Sequence, residues 1–433
     1  MKYIRLENYK CFLQLNMDFA PGINLLVGDN ASGKTSLLLA LRAALSSFFL
    51  GYSDENTRFL GLSKNDFTHR ETETTILNDL PIKVEFNVGD TLPVYDDIAH
   101  GYITLKSKKS RTSYAGATTY KALAHGIFLR LFNEDTSTQQ EALPLFASFS
   151  TEDIHTARKL DRRRFKEYKH KPSFGYYECL QGDGFFSYWL DRMLVLAEKD
   201  AHHREIESVR RAIQTALGPD GCNIIEDMDV RPRKGSVFYH YVDGREVEAR
   251  DLSDGYKRLV NIVTDLAFRC TLLNGGIYHL DACNSTKGTV LIDEIDLHLH
   301  PTLQSCAVRA LRCAFPHIQF IISTHAPMVM SSVASDDENR VYKMTYSALQ
   351  GYTQYLIEPY GMDASTIIEA ELGITPRDRG VQTALDELFR LIDREQFVEA
   401  KEKLNSLRTQ FSGLPELTKA QTMIDLMEES FDA

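Results

Sequence analysis

The sequence predicts an α/β fold in which a phosphate-binding core, preceded by a small antiparallel sheet, is split by an inserted helical lobe and closed by a helical tail. Three observations carry this. Short β-branched runs, INLLV at 23–27, TVLID at 289–293 and IQFIIS at 318–323, have the unbroken apolar character of strands buried on both faces. A glycine-rich loop follows the first of them directly. The alternation of strand and helix stops between about residues 95 and 215 and resumes afterwards, as expected for a core interrupted by an insertion.

At the N-terminus, YIRLEN (3–8) and LQLNMDF (13–19) alternate apolar and polar residues like paired antiparallel strands. After INLLV and its loop, an apolar helix is expected from about 34 to 50, then a strand, IKVEFNV, at 82–88. Beyond the middle stretch come VFYHYV (237–242), a long helix from Ser253 to about Leu273, a helix beginning near Pro301 between the two later core strands, and a strand near 340–346. Helical patterns at about 380–394, 395–410 and 416–431 end the chain, and no repeat of fixed period is present. The expected organisation is residues 1–94 as the first half of the core, 95–215 as the inserted lobe, 216–347 as the second half, and 348–433 as a tail suited to oligomerisation or partner docking.

The 433 residues, 43% hydrophobic and 25% charged, suit a folded protein with more than one core. Seven scattered cysteines without a C-x-x-C pair indicate neither a disulfide framework nor a thiolate zinc site, so a cytoplasmic location is expected. MKYIRLENYK leaves no room for a signal-peptide core, and the longest apolar stretch, Leu37 to Phe49, is broken by Arg42. A net charge of −11 argues against a globally basic nucleic-acid binder.

GDNASGKT at 28–35 matches G-x-x-x-x-G-K-[ST] in the context its mechanism needs, after a strand and before a helix. Gly28 and Gly33 let the loop curl so that backbone N–H groups from Asn30, Ala31, Ser32 and their neighbours face phosphate oxygens. Lys34 reaches the β- and γ-phosphates, Thr35 offers its hydroxyl to Mg²⁺, and Ser36 stands beside it. The expected ligand is ATP with Mg²⁺. TVLIDEID ends a buried strand in two carboxylates. Asp293 is placed to hold the metal, and Glu294 to orient or deprotonate an attacking water. In STHAP, His325 follows the next strand, within reach of a γ-phosphate. His298 and His300 lack a third ligand for a metal site. LSDGYKRL at 252–259 reads as a helix start, with Ser253 as a good N-cap.

In chain order, GDNASGKT, LSDGYKRL, TVLIDEID and STHAP resemble the phosphate loop, signature, acidic strand and switch histidine of ABC-type ATPase heads, particularly the branch of SMC, Rad50, RecF and OLD-like proteins. NYKCF at 8–12 is similar to that branch's opening motif, which implies that Lys10 approaches the nucleotide. The resemblance further implies a homodimer or higher homo-oligomer with ATP between two heads, Ser253 and Gly255 of one closing over the phosphate loop of the other; Asp254, in the same signature, stands where the family has glycine. No sustained heptads fill the gap before the signature, and too few residues follow His325 for a nuclease domain of the OLD type. LPLFASFSTED, SFGYYECL, FFSYWLDRM, TDLAFRCTLLNG and the tail around LDELFRLIDREQFVEAKEKLNSL resemble the ATPase subunit of Septu anti-phage defence systems. That implies a slow ATPase controlling a separate HNH-type nuclease subunit.

Two departures stand out. Residues 36–138 contain no glutamine to serve the metal and the attacking water, so Asn65 or Asp66 is expected to stand in, with Asp66 as a metal ligand. FSTED stands where an arginine is expected. Lys106 to Arg130 carries six basic residues and no acid, and Arg158 to Lys171 carries eight basic against two acidic, with Phe165 and Tyr168 between them. Arg162, Arg163, Arg164 and Lys166 are candidate contacts to nucleic acid or a partner; a solvated surface loop is the plainer reading. The alternative function is a RecF-like repair ATPase acting directly on DNA. The nucleotide subunit of a membrane transporter fits the insertion and the missing glutamine less well.

Overall fold

The computed structural model describes residues 1–68, 80–89, 99–131, 141–150, 171–182, 185–199, 203–373, 375, 377–411 and 413–431. They divide into two compact units, Met1–Ala364 and Ser365–Ala433.

In the first unit, β1 (Tyr3–Tyr9) and β2 (Phe12–Asp18) form a hairpin, and β4 (Ile82–Asn87) and β5 (His100–Leu105) extend it into an antiparallel sheet of order β2-β1-β4-β5. The period of two is visible in β4, where Ile82, Val84 and Phe86 are buried and the residues between them are half-exposed. A second sheet carries the buried runs. β3 (Ile23–Val27), β10 (Gly288–Ile292) and β11 (Ile318–Ser323) are buried at every position, and the order is β13-β12-β3-β11-β10-β6. Here β6 is Leu145–Phe149, β12 is Arg340–Ser347 and β13 is Gly351–Leu356; every pairing is parallel except β12 with β13. Parallel neighbours bring their carboxyl ends to one edge, so the loops after β3, β10 and β11 emerge side by side although nearly 300 residues separate them along the chain.

Helix α1 (Lys34–Ser46) starts at the end of the glycine loop and buries Leu37, Leu38, Leu41 and Leu45. The apolar pattern continues to Leu50 as a 3₁₀ turn. Between the halves lie α2 (Thr118–Leu131), α3 (Phe186–Lys199) and α4 (Arg204–Leu217). The stretch 95–215, expected as a helical lobe, also supplies β5 and β6, each an edge strand of one of the two sheets. LFASF lacks flanking periodicity, and only its parallel register with Gly288–Ile292 makes it a strand of the core. A three-stranded antiparallel sheet, β7 (Ile225–Arg231), β8 (Ser236–Tyr241) and β9 (Glu246–Glu248), precedes the 25-residue α5 (Asp254–Tyr278). The helix expected near Pro301 is one short turn, Pro301–Gln304, followed by α6 (Ala307–Ala314).

Cys222 and Cys306 form a disulfide, with Cα atoms 5.4 Å apart and 84 residues between them, which corrects the expectation of none. Such a distant pair, brought together by the packing of α4 against α6, leaves no spacing signature in the sequence. Of the remaining cysteines, Cys179, Cys270 and Cys283 are buried.

The tail was expected from residue 348, but Gly351–Leu356 pairs with β12 and belongs to the sheet of the first unit. The second unit contains α7 (Arg379–Asp393), α8 (Phe397–Gln410) and α9 (Pro415–Phe431). Leu385, Leu388 and Ile392 pack with Leu404, Leu407, Leu417 and Ile424 as its own core. Asp378 caps α7, its carboxylate accepting from the backbone of Gly380 at 2.8 Å. Among the described residues, no helix is long and apolar enough to cross a membrane.

Candidate nucleotide-binding site

The loop between β3 and α1 turns on residues that tolerate a left-handed backbone. Gly28 and Gly33 have φ of 138° and 95°, and Ala31 joins them at 64°. Packing fixes the same two glycines. A Cβ on Gly28 would stand 2.1 Å from the carbonyl oxygen of Met344 on β12, and one on Gly33 would stand 2.6 Å from the ring of Phe12.

Lys34 is buried under this loop. Its Nζ donates to the carbonyls of Gly28 at 2.7 Å and Asp29 at 2.8 Å, and to the hydroxyl of Ser32 at 3.3 Å. Burial lowers its pKa to about 8 against the opposing pull of Asp293 and Glu294. The ammonium therefore sits among partial negative charges that a phosphate could replace.

Thr35 donates from Oγ1 to Oδ2 of Asp293 at 2.9 Å, joining the start of α1 to the end of β10. The other oxygen of Asp293 accepts from Ser323 Oγ at 2.5 Å, and that hydroxyl in turn accepts from the backbone N–H of Glu294 at 2.7 Å. Glu294 itself has φ of 49°, a conformation costly for a side chain of this size, at the point where the chain leaves the strand. Just past the next strand, Thr324 donates to Asp296 at 2.6 Å, and the same carboxylate oxygen accepts from the backbone N–H of His325 at 3.3 Å. Burial and the nearby Lys34 both lower the pKa of His325, favouring neutral imidazole.

Lys34, Thr35, Glu294 and His325 line one cavity of about 320 Å³ together with Asn30, Ala31, Ser32, Gly33, Ser36, Cys11 and Tyr352, and Asp293 reaches it through its bond to Thr35. Lys10 and Asp66 are not part of that lining. They pair with each other at 3.3 Å, and Asp66 also accepts from the backbone of Ser63, capping the turn that contains exposed Asn65. The carboxylate expected to serve the metal is thus committed to Lys10 and a backbone N–H.

Ser253 and Asp254 are exposed at the N-terminus of α5, and the Ser253 side chain makes no capping bond to its own helix. Gly255 is buried, and a Cβ there would stand 2.5 Å from the His298 carbonyl oxygen. None of the three lines the cavity. One turn further on, Arg258 donates to the backbone carbonyl of Asp293 at 2.7 Å, tying this helix to the acidic strand end. The sequence reading gives no role to Arg258, Ser323, Asp296, Cys11 or Tyr352. The first four stand inside the motifs LSDGYKRL, STHAP, TVLIDEID and NYKCF and could have been marked by position, whereas Tyr352 is brought in by tertiary packing alone. Residues 151–170, which include Arg162, Arg163, Arg164, Lys166 and most of FSTED, lie outside the described residues.

Residues 23–331, from the start of β3 to just past His325, match the family described as "AAA domain, putative AbiEii toxin, Type IV TA system". The chain belongs to this AAA family. As an AAA domain it is an ATPase, and the two ends of the match enclose the phosphate loop, the acidic strand end and the histidine described above. The chain is 25% identical over 398 residues to the "Retron Vc95 probable ATPase" of Vibrio cholerae, covering 80% of this chain and 74% of the other. It is 26% identical over 358 residues to "Septu protein PtuA" of Bacillus thuringiensis, covering 78% and 74%. Among solved structures, the SMC head domain from Thermotoga maritima aligns with a TM-score of 0.44 at 14% identity, over 82% of this chain and 98% of that one.

Proposed function

We propose that this ATPase is the regulatory subunit of an anti-phage defence complex, closing as a homodimer over bound ATP and controlling a separate HNH-type nuclease subunit. The observation that carries the nucleotide chemistry is the Thr35–Asp293 contact, with Thr35, Lys34, Glu294 and His325 in the wall of one cavity. The Thr35 hydroxyl and the Asp293 carboxylate are hard oxygen donors suited to Mg²⁺. That ion, when bound, supplies charge neutralisation at the β- and γ-phosphates. Lys34 would exchange its loop carbonyls for phosphate oxygens. Glu294 would accept the proton of the attacking water, and neutral His325 would donate to the terminal phosphate.

The dimer rests on α5. Ser253 leaves its hydroxyl free of the helix and exposed, so the helix N-terminus and hydroxyl together offer an anion site away from the chain's own cavity. The defence role and the nuclease partner rest on the retron and Septu relatives together with the resemblance in the sequence.

Glu294→Gln is expected to lower the hydrolysis rate by about 10²–10⁴-fold and to accumulate an ATP-bound dimer, measured by phosphate release and by light scattering after gel filtration. Adding Ser253→Arg to that variant should return it to monomer while ATP still binds. A Glu294→Gln protein that turns over at the wild-type rate removes Glu294 as the base. Loss of both dimer and ATP in the double variant removes the assignment of Ser253 to a partner's site.

The second reading, direct action on DNA, is favoured by the exposed turn containing Lys106, Lys109 and Arg111. Salt-sensitive DNA binding by the isolated chain, lost on changing these three to alanine, would turn the assignment to it.

A further inference from the structure

Lys34, Thr35, Glu294 and His325 line the cavity, and Asp293 is bonded to Thr35, so these are the groups that a terminal phosphate and its metal would meet. In a loop of this kind the backbone cradle, the lysine and the Ser/Thr hydroxyl are taken up by the phosphates and the metal, so a base has to find its contacts in the rest of the cavity wall. Apart from the loop residues, Glu294 and His325, that wall consists of Cys11 and Tyr352. Among the described residues that line the cavity, Tyr352 is the one Phe, Tyr or Trp.

Tyr352 belongs to β13, the edge strand after the hairpin turn, and its packing fixes the ring. Phe12 meets it edge-on, with centroids 5.5 Å apart and planes at 73°. Tyr346, across the hairpin, leans against it at 4.8 Å and 46°. Phe12 is fully buried beneath Gly33, so the ring is referenced to the phosphate loop itself. A tyrosine held from two sides by other rings, yet still forming cavity wall, is a preorganised stacking surface.

We infer that the ring of Tyr352 is the platform on which the purine base of the bound nucleotide stacks, so that the C-terminal hairpin recognises the base while the glycine loop recognises the phosphates. The inference rests on the reading of the cavity as the nucleotide site and deepens it. Stacking needs a π-face and no hydroxyl, so phenylalanine should substitute and alanine should not. Base–aromatic stacking of this strength corresponds to roughly 5- to 150-fold in affinity.

The test is calorimetric titration of the full chain with MgATP, MgGTP and inorganic tripolyphosphate, which carries the phosphates but no base. Tyr352→Ala is expected to weaken both nucleotides at least about 5-fold and leave tripolyphosphate unchanged, while Tyr352→Phe stays within about 2-fold of wild type for all three. Unchanged nucleotide affinity in Tyr352→Ala overturns the inference. So does an equal loss of tripolyphosphate, which would mean that the ring acts by supporting Phe12 and the loop. Lys34→Ala serves as the separate control: it should lose tripolyphosphate as well as nucleotide, and retention of both would overturn the underlying cavity assignment instead.

Discussion

Lys34 shows how much one buried amine controls. It is held by the carbonyls of Gly28 and Asp29, and burial brings its pKa down to about 8. Phosphate favours the charged form, so binding must raise this pKa, and above pH 8 the free protein has to take up a proton to bind. Nucleotide affinity is therefore expected to be flat below about pH 8 and to fall by up to tenfold per unit above it. At pH 8.5, calorimetry in two buffers of different ionisation heat should differ by the heat of that proton, and identical heats would show that Lys34 is already charged. Folding responds with the opposite sign to the same shift. Between about 8 and the ordinary 10.5 the unfolded chain binds more protons, so nucleotide-free stability rises with pH across that window. The loop around Lys34 is legible in the sequence because a positive-φ turn and close backbone packing restrict residue choice, leaving a fixed pattern at 28–35. Ser323 and Arg258 belong to the same constellation, but a serine at a strand end or an arginine on a helix suits many environments, and their partners lie 30 or more residues away.

Helix α5 connects its exposed start at Ser253 to the inserted lobe through buried charge. Arg269 and Asp265, at 2% and 3% exposure, form an ion pair one turn apart. Asp265 also accepts from the indole of Trp189 on α3 at 2.6 Å, and Arg269 donates to the carbonyls of Gly175 and Tyr177. The Trp189 ring stacks on Phe268 at 4.7 Å, so polar and aromatic contacts hold the same two helices together. A buried ion pair adds little over an apolar replacement, but removing one partner leaves the other charge uncompensated. Asp265→Ala is therefore expected to destabilise the first unit by about 3–5 kcal/mol, read as a lower denaturation midpoint in urea. A change under about 1 kcal/mol would mean that Arg269 finds other acceptors. Periodicity made the helix itself visible from Ser253 onward, as eighteen of its 25 positions are buried. FFSYWLDRM was legible as a segment, but not as the donor of an indole to Asp265. That pairing spans 76 residues and depends on which face of α3 meets α5.

At the scale of the molecule, the two units keep their business separate. The phosphate loop, the acidic strand end, His325, Tyr352 and Ser253 all belong to Met1–Ala364, whereas α7, α8 and α9 bury an apolar core of their own. Leu388→Ala, at a fully buried position of that core, is expected to cost about 2–5 kcal/mol in the unfolding of the second unit and to leave ATP affinity within about 2-fold of wild type. Thermal denaturation together with ATP titration checks this, and a parallel loss of ATP would mean that the units are energetically coupled. The order of the larger sheet has a consequence for its margin. Gly28 lies hard against the carbonyl of Met344 on β12, and Tyr352 stands on the neighbouring outermost strand. A nucleotide gripped at its phosphates by the loop and at its base by Tyr352 would act as a staple across three adjacent strands. It would fasten the sheet's open rim, where backbone groups otherwise have no further strand to pair with, into a closed frame.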